Sequence, residues 1–117
     1  MSKPSDLPLY RALYKLLLYL YTLIKNFPKS YKYSLGQNIL DLAWETLDLI
    51  ILANNLPNKE KSVLIVQASV AFDKLKIRLR LAWDLKIINH QKLAFLVETN
   101  EEIGKMLAGW LKWSEKT

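Results

Sequence analysis

The 117-residue chain has no cysteine, one histidine and only three glycines. Without cysteine it can form no disulfide framework, no thiolate metal site and no thiol nucleophile, and it fits a reducing compartment. The single histidine, His90, leaves a Ser-His-Asp arrangement without support, and its position predicts a surface residue in the first turn of a helix. The isolated glycines match neither a phosphate-binding loop nor a dinucleotide fingerprint. These absences predict a protein that is not an enzyme and that takes no cofactor and no small-molecule substrate.

Three carboxylates, Asp41, Glu45 and Asp48, share one helical face at spacings of four and three residues. Carboxylates at this spacing could bind a metal ion, but a di-metal site in a helical bundle also takes Glu-x-x-His pairs from two helices. The chain contains no such pair. We therefore expect no metal site, and we interpret the three residues as an acidic solvent-facing stripe or as a surface that meets a basic neighbour.

Long hydrophobic runs are also missing. The longest uncharged stretch in the first helix, Leu16–Ile24, is far shorter than the roughly 20 residues that cross a bilayer. Tyrosine, threonine and lysine interrupt the apolar N-terminal segment and no small-residue cleavage site follows it, so we expect no secretory signal. The sequence predicts a cytoplasmic protein without a membrane partner.

Hydrophobic residues make up 51% of the chain and charged residues 24%, which is typical of one folded domain, predicted to span residues 1–117. Helical periodicity dominates, and helix-breaking residues occur at three places only. The four predicted helices run from Asp6-Leu7-Pro8 to Asn26, from Ser34 to Asn54, from after Asn58 to about Lys86, and from after Asn89 to about Ser114. The β-branched segment 63–66 could form a strand, but the lack of Gly and Pro from 59 to 86 favours a helix. Short connections then predict an all-α, antiparallel up-down-up-down four-helix bundle.

Capping residues mark the start of each predicted helix. Asp6 is the expected N-cap of the first helix, and Ser34 with Gln37 is expected to form a capping box at the start of the second. Asn58 and Asn89 are the expected N-caps of the third and fourth helices.

The first helix has more apolar surface than one bundle requires. Its predicted core stripe consists of Leu9, Leu13, Leu16, Leu20 and Ile24. A second apolar stripe lies beside it and consists of Tyr10, Tyr14, Leu17 and Tyr21. One apolar face about 100° wide suffices for a helix of an isolated bundle, so the second stripe predicts an interface in a homo-oligomer. The alternative is that the tyrosines line the water-facing edge of the bundle.

The fourth helix has a face of small residues. Gly104 and Ala108 lie four residues apart, which allows the backbone of a neighbouring helix to approach closely. The charged residues around them favour packing between soluble helices over a transmembrane dimer. Asn100 interrupts the apolar side of the same helix.

The formal net charge of the chain is +6. By segment it is +4 for residues 1–31, −2 for 32–57, +4 for 58–86 and zero for 87–117. The third helix concentrates four basic residues, Lys74, Lys76, Arg78 and Arg80. Lys76 and Arg80 share a face and Arg78 points roughly the opposite way, which suits a groove between subunits or two separate contacts. Such a helix can bind a polyanion, or it can be a solvated surface with Asp73 and Asp84 as intrahelical partners.

Four segments in chain order resemble one protein family over nearly the whole chain. They are Leu7-Pro8-Leu9-Tyr10; Phe27-Pro28-Lys29-Ser30 with Tyr33-Ser34-Leu35-Gly36; Leu75-Lys76 with Leu79-Arg80-Leu81-Ala82 and Asp84-Leu85; and Glu102-Ile103-Gly104-Lys105-Met106-Leu107-Ala108-Gly109-Trp110. Together they resemble the accessory variability determinant (Avd) proteins of diversity-generating retroelements. The same broad family includes the four-helix proteins encoded in ribosomal RNA intervening sequences.

The resemblance implies a homopentameric barrel of four-helix bundles that partners a reverse transcriptase and its RNA template or cDNA during mutagenic copying. It also implies that Lys76 and Arg80 match the family's pair of basic residues on the third helix. A lysine at position 76, where arginine is more usual, would replace a bidentate contact by a point-charge contact. Charge geometry alone adds further candidates for nucleic-acid or polymerase binding, namely Arg78, Lys74, Arg11 and Lys15. The alternatives are an intervening-sequence RNA-binding protein without a polymerase partner, and a purely structural oligomer or helix-groove module.

Overall fold

The computed structural model describes residues 7–116, and within this range the chain is helical with short connections. The helices are α1 (Pro8–Lys25), α2 (Lys29–Lys32), α3 (Leu35–Asn54), α4 (Lys61–Asp84) and α5 (His90–Glu115), with a 3-10 turn over Asn58–Glu60. The four long helices α1, α3, α4 and α5 are the four predicted ones, and α4 includes the segment 63–66 that could have formed a strand. The prediction of an all-α fold with four helices is therefore confirmed.

The four long helices pack as a ring in chain order. Helix α1 packs on α3, α3 on α4, α4 on α5, and α5 closes the ring against α1. The described chain measures 46 × 22 × 21 Å. A helix of 24 residues such as α4 is about 36 Å long, so the helices must lie along the long axis, and the short connections make neighbours antiparallel. No helix in the range 7–116 is long and apolar enough to span a membrane.

One hydrophobic cluster fills the centre of the ring and takes side chains from all four long helices. The predicted core stripe of α1 is buried throughout, at Leu9, Leu13, Leu16, Leu20 and Ile24. Fully burying a leucine or isoleucine side chain contributes about 1.5–3 kcal/mol, so this stripe is a principal attachment of α1 to the bundle.

The start of α3 differs from the sequence prediction, because no capping box forms. The hydroxyl of Ser34 donates to the carbonyls of Ser30 and Tyr31, at 3.3 and 3.4 Å. The side-chain amide of Gln37 donates to Asp41, 2.8 Å away. The sequence did not predict the short helix α2, whose carbonyls accept the hydrogen bonds from the hydroxyl of Ser34.

Of the three other predicted N-caps, one forms, one does not form and one lies outside the described residues. Asn58 begins a 3-10 turn, and the N-cap of α4 is Glu60, whose side chain makes no capping bond, so the prediction for Asn58 was wrong. Asn89 is the N-cap of α5, as predicted, and its side chain accepts a hydrogen bond from the amide of Lys92 at 2.9 Å. Asp6 lies outside the described residues.

Helix α4 ends in a Schellman motif, in which Lys86 adopts a left-handed backbone conformation with φ 63°. The amide of Ile87 donates to the carbonyl of Ala82 and the amide of Lys86 to that of Trp83, both at 2.9 Å. These bonds satisfy carbonyls that a helix end leaves unpaired and turn the chain toward α5. The helix consequently ends at Asp84, two residues before the predicted end.

Candidate interaction surface on helices α3, α4 and α5

The basic residues of α4 face two sides of the bundle. Lys76 and Arg80 lie toward α5, whereas Arg78 lies toward α3, where its Nε donates to the side-chain oxygen of Asn38 at 2.9 Å. Lys74 is exposed, one turn before Arg78. Helical geometry explains the division, because residues two positions apart point about 200° apart.

Lys76 and Arg80 each have an acidic partner on α4 itself. The ammonium of Lys76 lies 3.1 Å from a carboxylate oxygen of Asp73 and 5.4 Å from the centre of the Phe72 ring. Nε of Arg80 lies 3.2 Å from a carboxylate oxygen of Asp84. These are the intrahelical partners that the sequence predicted. Such exposed pairs are worth at most about 1 kcal/mol, so both cations can exchange their partners at little cost.

Lys76 and Arg80 stand at the rim of a groove of about 620 Å³ between α4 and α5, which we call the α4/α5 groove. Its lining is mainly apolar and includes Leu79, Leu93, Leu96, Val97 and Ala108. Gly104 also lines it, and a Cβ added to this glycine would meet no atom within 4 Å. The small-residue face that was predicted to pack against a neighbouring helix therefore lines the groove. Lys105 and Glu101 from α5 complete the charged rim.

Asn100 lines the same groove and is 8% exposed. Its amide oxygen is buried and has no hydrogen-bond donor among the described residues. Buried polar atoms are paired in the large majority of cases, so this oxygen is an exception among the described residues. The sequence signal was a polar residue on the apolar side of α5, and it was noted only as an interruption.

Arg11 and Lys15 lie elsewhere, around a depression of about 350 Å³ between α1 and α5. Phe95, Thr99 and Glu102 of α5 line the same depression. Helices α1 and α4 occupy opposite corners of the ring, so the six basic candidates form three groups and not one patch.

The predicted tyrosine stripe of α1 is largely on the surface. Tyr14 and Tyr21 are 46% and 49% exposed, and Tyr10 is half-buried and stacks on Tyr14. The hydroxyl of Tyr21 accepts a hydrogen bond from the indole of Trp44 on α3, at 3.0 Å. Leu17 needs a correction, because it is 4% exposed and belongs to the bundle's own core. Because α1 packs against both α3 and α5, the buried part of its surface is wider than one stripe of residues.

The three carboxylates of α3 lie on an exposed face together with two apolar side chains. Asp41, Trp44, Glu45, Asp48 and Leu52 are exposed and surround a shallow depression; we call them the α3 acidic face. Within residues 7–116, no ion pair engages these carboxylates. The same range contains no group of three His, Asp or Glu side chains that could hold a metal ion.

The outer side of α4 carries exposed apolar residues that the sequence analysis missed. Val63, Val66, Val70, Ile77 and Leu81 are all exposed and share one helical face; we call them the α4 outer stripe. Helix α4 carries apolar residues on its core side too, so its hydrophobicity does not separate into one face and gave no clear amphipathic signal. The spacing of the three valines and Ile77 was the signal that could have revealed it.

His90 is exposed in the first turn of α5, and its ring lies 5.9 Å from that of Trp83.

The comparison with known families matches residues 9–114, from α1 to the end of α5, to a family described as bAvd-like. No curated protein sequence matches the chain at a significant level. Because the family match covers nearly the whole chain and all four long helices, the chain belongs to the bAvd-like family, named after the accessory variability determinant of a Bordetella phage.

Proposed function

We propose that this protein is a non-enzymatic accessory subunit of a diversity-generating retroelement, which binds the reverse transcriptase and its RNA template or cDNA during mutagenic reverse transcription. The observation that carries the proposal is the family match over residues 9–114, because the bAvd-like family is associated with this accessory role. The chain's excess of basic residues suits a polyanionic partner.

The contacts with polymerase and nucleic acid are proposed for the basic side chains Lys74, Lys76, Arg78, Arg80, Arg11 and Lys15. Their separation into three groups supports contacts on more than one side of the bundle. The pair Lys74 and Arg78 lies on the side of α4 away from the groove, where a long polyanion has access.

The proposed assembly is a homo-oligomer, with a pentamer as the family's arrangement. Exposed apolar side chains support it, namely Tyr14 and Tyr21 on α1 and the α4 outer stripe. Contiguous apolar surface of this kind is unusual on a monomer and is typical of an interface. Light scattering after size exclusion tests it, because the chain mass is 13.7 kDa and a pentamer has five times that mass.

The test of the function is co-expression of the tagged chain with the reverse transcriptase and template RNA of the same retroelement, followed by retrieval and RNA sequencing. We expect both the polymerase and the template RNA to be retrieved. Lys74→Glu with Arg78→Glu should abolish retrieval of both partners. The control Lys25→Glu with Lys29→Glu reverses the same number of charges at exposed positions, and retrieval should be unaffected. Retrieval of RNA without polymerase would overturn the polymerase partnership and favour the intervening-sequence alternative. Retrieval of neither would overturn the proposal.

A further inference from the structure

Two surfaces of this chain carry opposite charges but do not touch within one molecule. The α4/α5 groove is apolar at its base and has three basic residues, Lys76, Arg80 and Lys105, and one acidic residue, Glu101, at its rim. The α3 acidic face carries three carboxylates without cationic partners beside the exposed Trp44 and Leu52.

We propose that the α4/α5 groove binds the α3 acidic face of a second copy of this chain, and that this contact joins the subunits of the homo-oligomer. The inference rests on the oligomer put forward in the proposed function, and it adds the faces that meet. It gives Lys76 and Arg80 a role in assembly, which the experiment below separates from contact with the polymerase.

The dimensions of the two surfaces agree. The groove follows α5 from Leu93 to Ala108, a length of about 22 Å at 1.5 Å per residue. The α3 acidic face runs from Asp41 to Leu52, about 16 Å, and therefore fits within it. The absence of a side chain at Gly104 leaves room for a helix to approach α5 closely.

The chemistry of the groove also favours a protein helix. Its apolar base provides no hydrogen-bond donors for a phosphate backbone. Docking of the α3 acidic face would instead bury apolar surface of Trp44 and Leu52 against this base. Another exposed apolar face, the α4 outer stripe, is a poorer occupant because Lys74 lies within it and would face the basic residues of the rim.

The two surfaces lie on different sides of the bundle, since α3 and α5 are opposite corners of the ring. Two copies therefore cannot exchange both contacts at once as a two-fold dimer would require. The contact is therefore head-to-tail, and a series of such contacts that closes on itself forms a ring of more than two subunits.

The experiment measures the mass of purified full-length variants by light scattering at low and at moderate salt. Lys76→Glu with Arg80→Glu should reduce the oligomer to the chain mass of 13.7 kDa. Asp41→Lys with Glu45→Lys should do the same, and the four changes combined should restore the oligomer because the charges are exchanged across the interface. Lys25→Glu with Lys29→Glu is the matched control and should retain the wild-type mass.

A second variant acts without changing charge. Gly104→Leu should fill the groove and abolish the oligomer, while helix content by circular dichroism stays at the wild-type level, because the new side chain enters open space. An oligomer unaffected by these variants would overturn the inference and leave the proposed oligomer standing; a monomeric wild type would overturn both. If the four-residue exchange restores the mass but not polymerase retrieval, Lys76 and Arg80 contact the polymerase in addition to the neighbouring subunit.

Discussion

The ammonium of Lys61 lies 2.9 Å from the carbonyl oxygen of Ala53, so the first residue of α4 caps the last turn of α3. The same ammonium donates to the carbonyls of Asn54 at 3.2 Å and Leu56 at 2.6 Å. Lys61 is 6% exposed, which is unusual for a lysine and is explained by these three acceptors at the negative end of a helix dipole. This side chain fixes the connection between two neighbouring helices.

Replacing Lys61 by methionine should lower the free energy of unfolding by about 1–3 kcal/mol, because the substitution leaves buried carbonyls without a donor. Urea unfolding followed by circular dichroism measures it. The control is Lys59→Met, which removes the same charge from an exposed position and should change stability by less than about 0.5 kcal/mol. Equal effects of the two variants would contradict the capping role.

The stabilisation by Lys61 should also depend on pH. Burial lowers the pKa of Lys61 from its usual value of 10.5, so just below that pH the unfolded chain binds the proton more readily than the folded chain. Stability therefore rises with pH in this interval. The difference in unfolding free energy between wild type and Lys61→Met should grow as the pH rises from 8 toward 10.5. A difference that shrinks over this interval would mean that the three carbonyls raise the pKa instead.

Gly36→Ala should destabilise the bundle. A Cβ at Gly36 would lie 2.7 Å from Cγ2 of Ile24, a branched and buried side chain of α1 that cannot move far. Overpacking of this kind costs about 1–3 kcal/mol, which exceeds the gain of about 1 kcal/mol in helix propensity. Gly109→Ala is the control, because a Cβ there meets nothing within 4 Å and the thermal midpoint should rise. A rise for both variants would refute the close approach of α1 and α3.

Asn100→Leu should increase the stability of the chain. Its unpaired amide oxygen is removed, and the adjoining groove provides room for the larger side chain, so we expect a gain of about 1 kcal/mol. Thr46→Val is the comparison, since Thr46 is also buried but its hydroxyl donates to the carbonyl of Leu42 at 2.8 Å, so this variant should gain no stability. Chemical denaturation of both variants decides, and destabilisation by Asn100→Leu would show that the amide is satisfied in solution.

The spacing of apolar residues along the sequence predicted the long helices and their core, but not which side chains one helix places against another. The leucine spacing of α1 was sufficient for its core stripe, whereas Leu17 was misassigned because its burial depends on which two helices flank α1. Ser34 was misread for a similar reason, since the carbonyls that it contacts belong to a short helix without a periodic signal. The α4/α5 groove could not be predicted, because it depends on how closely α5 approaches α4 beside Gly104.

The order of the helices in the ring has a consequence for the synthesis of the protein. Each long helix after α1 packs against the long helix that precedes it in the chain, and the contact of α5 with α1 joins the two helices that are farthest apart in sequence. Such a topology has low contact order and folds rapidly, in microseconds to milliseconds for comparable helical bundles. Helices α1, α3 and α4 can form hairpins as they leave the ribosome, but the groove acquires its second wall only when α5 docks. A nascent chain therefore presents the α3 acidic face before the α4/α5 groove exists.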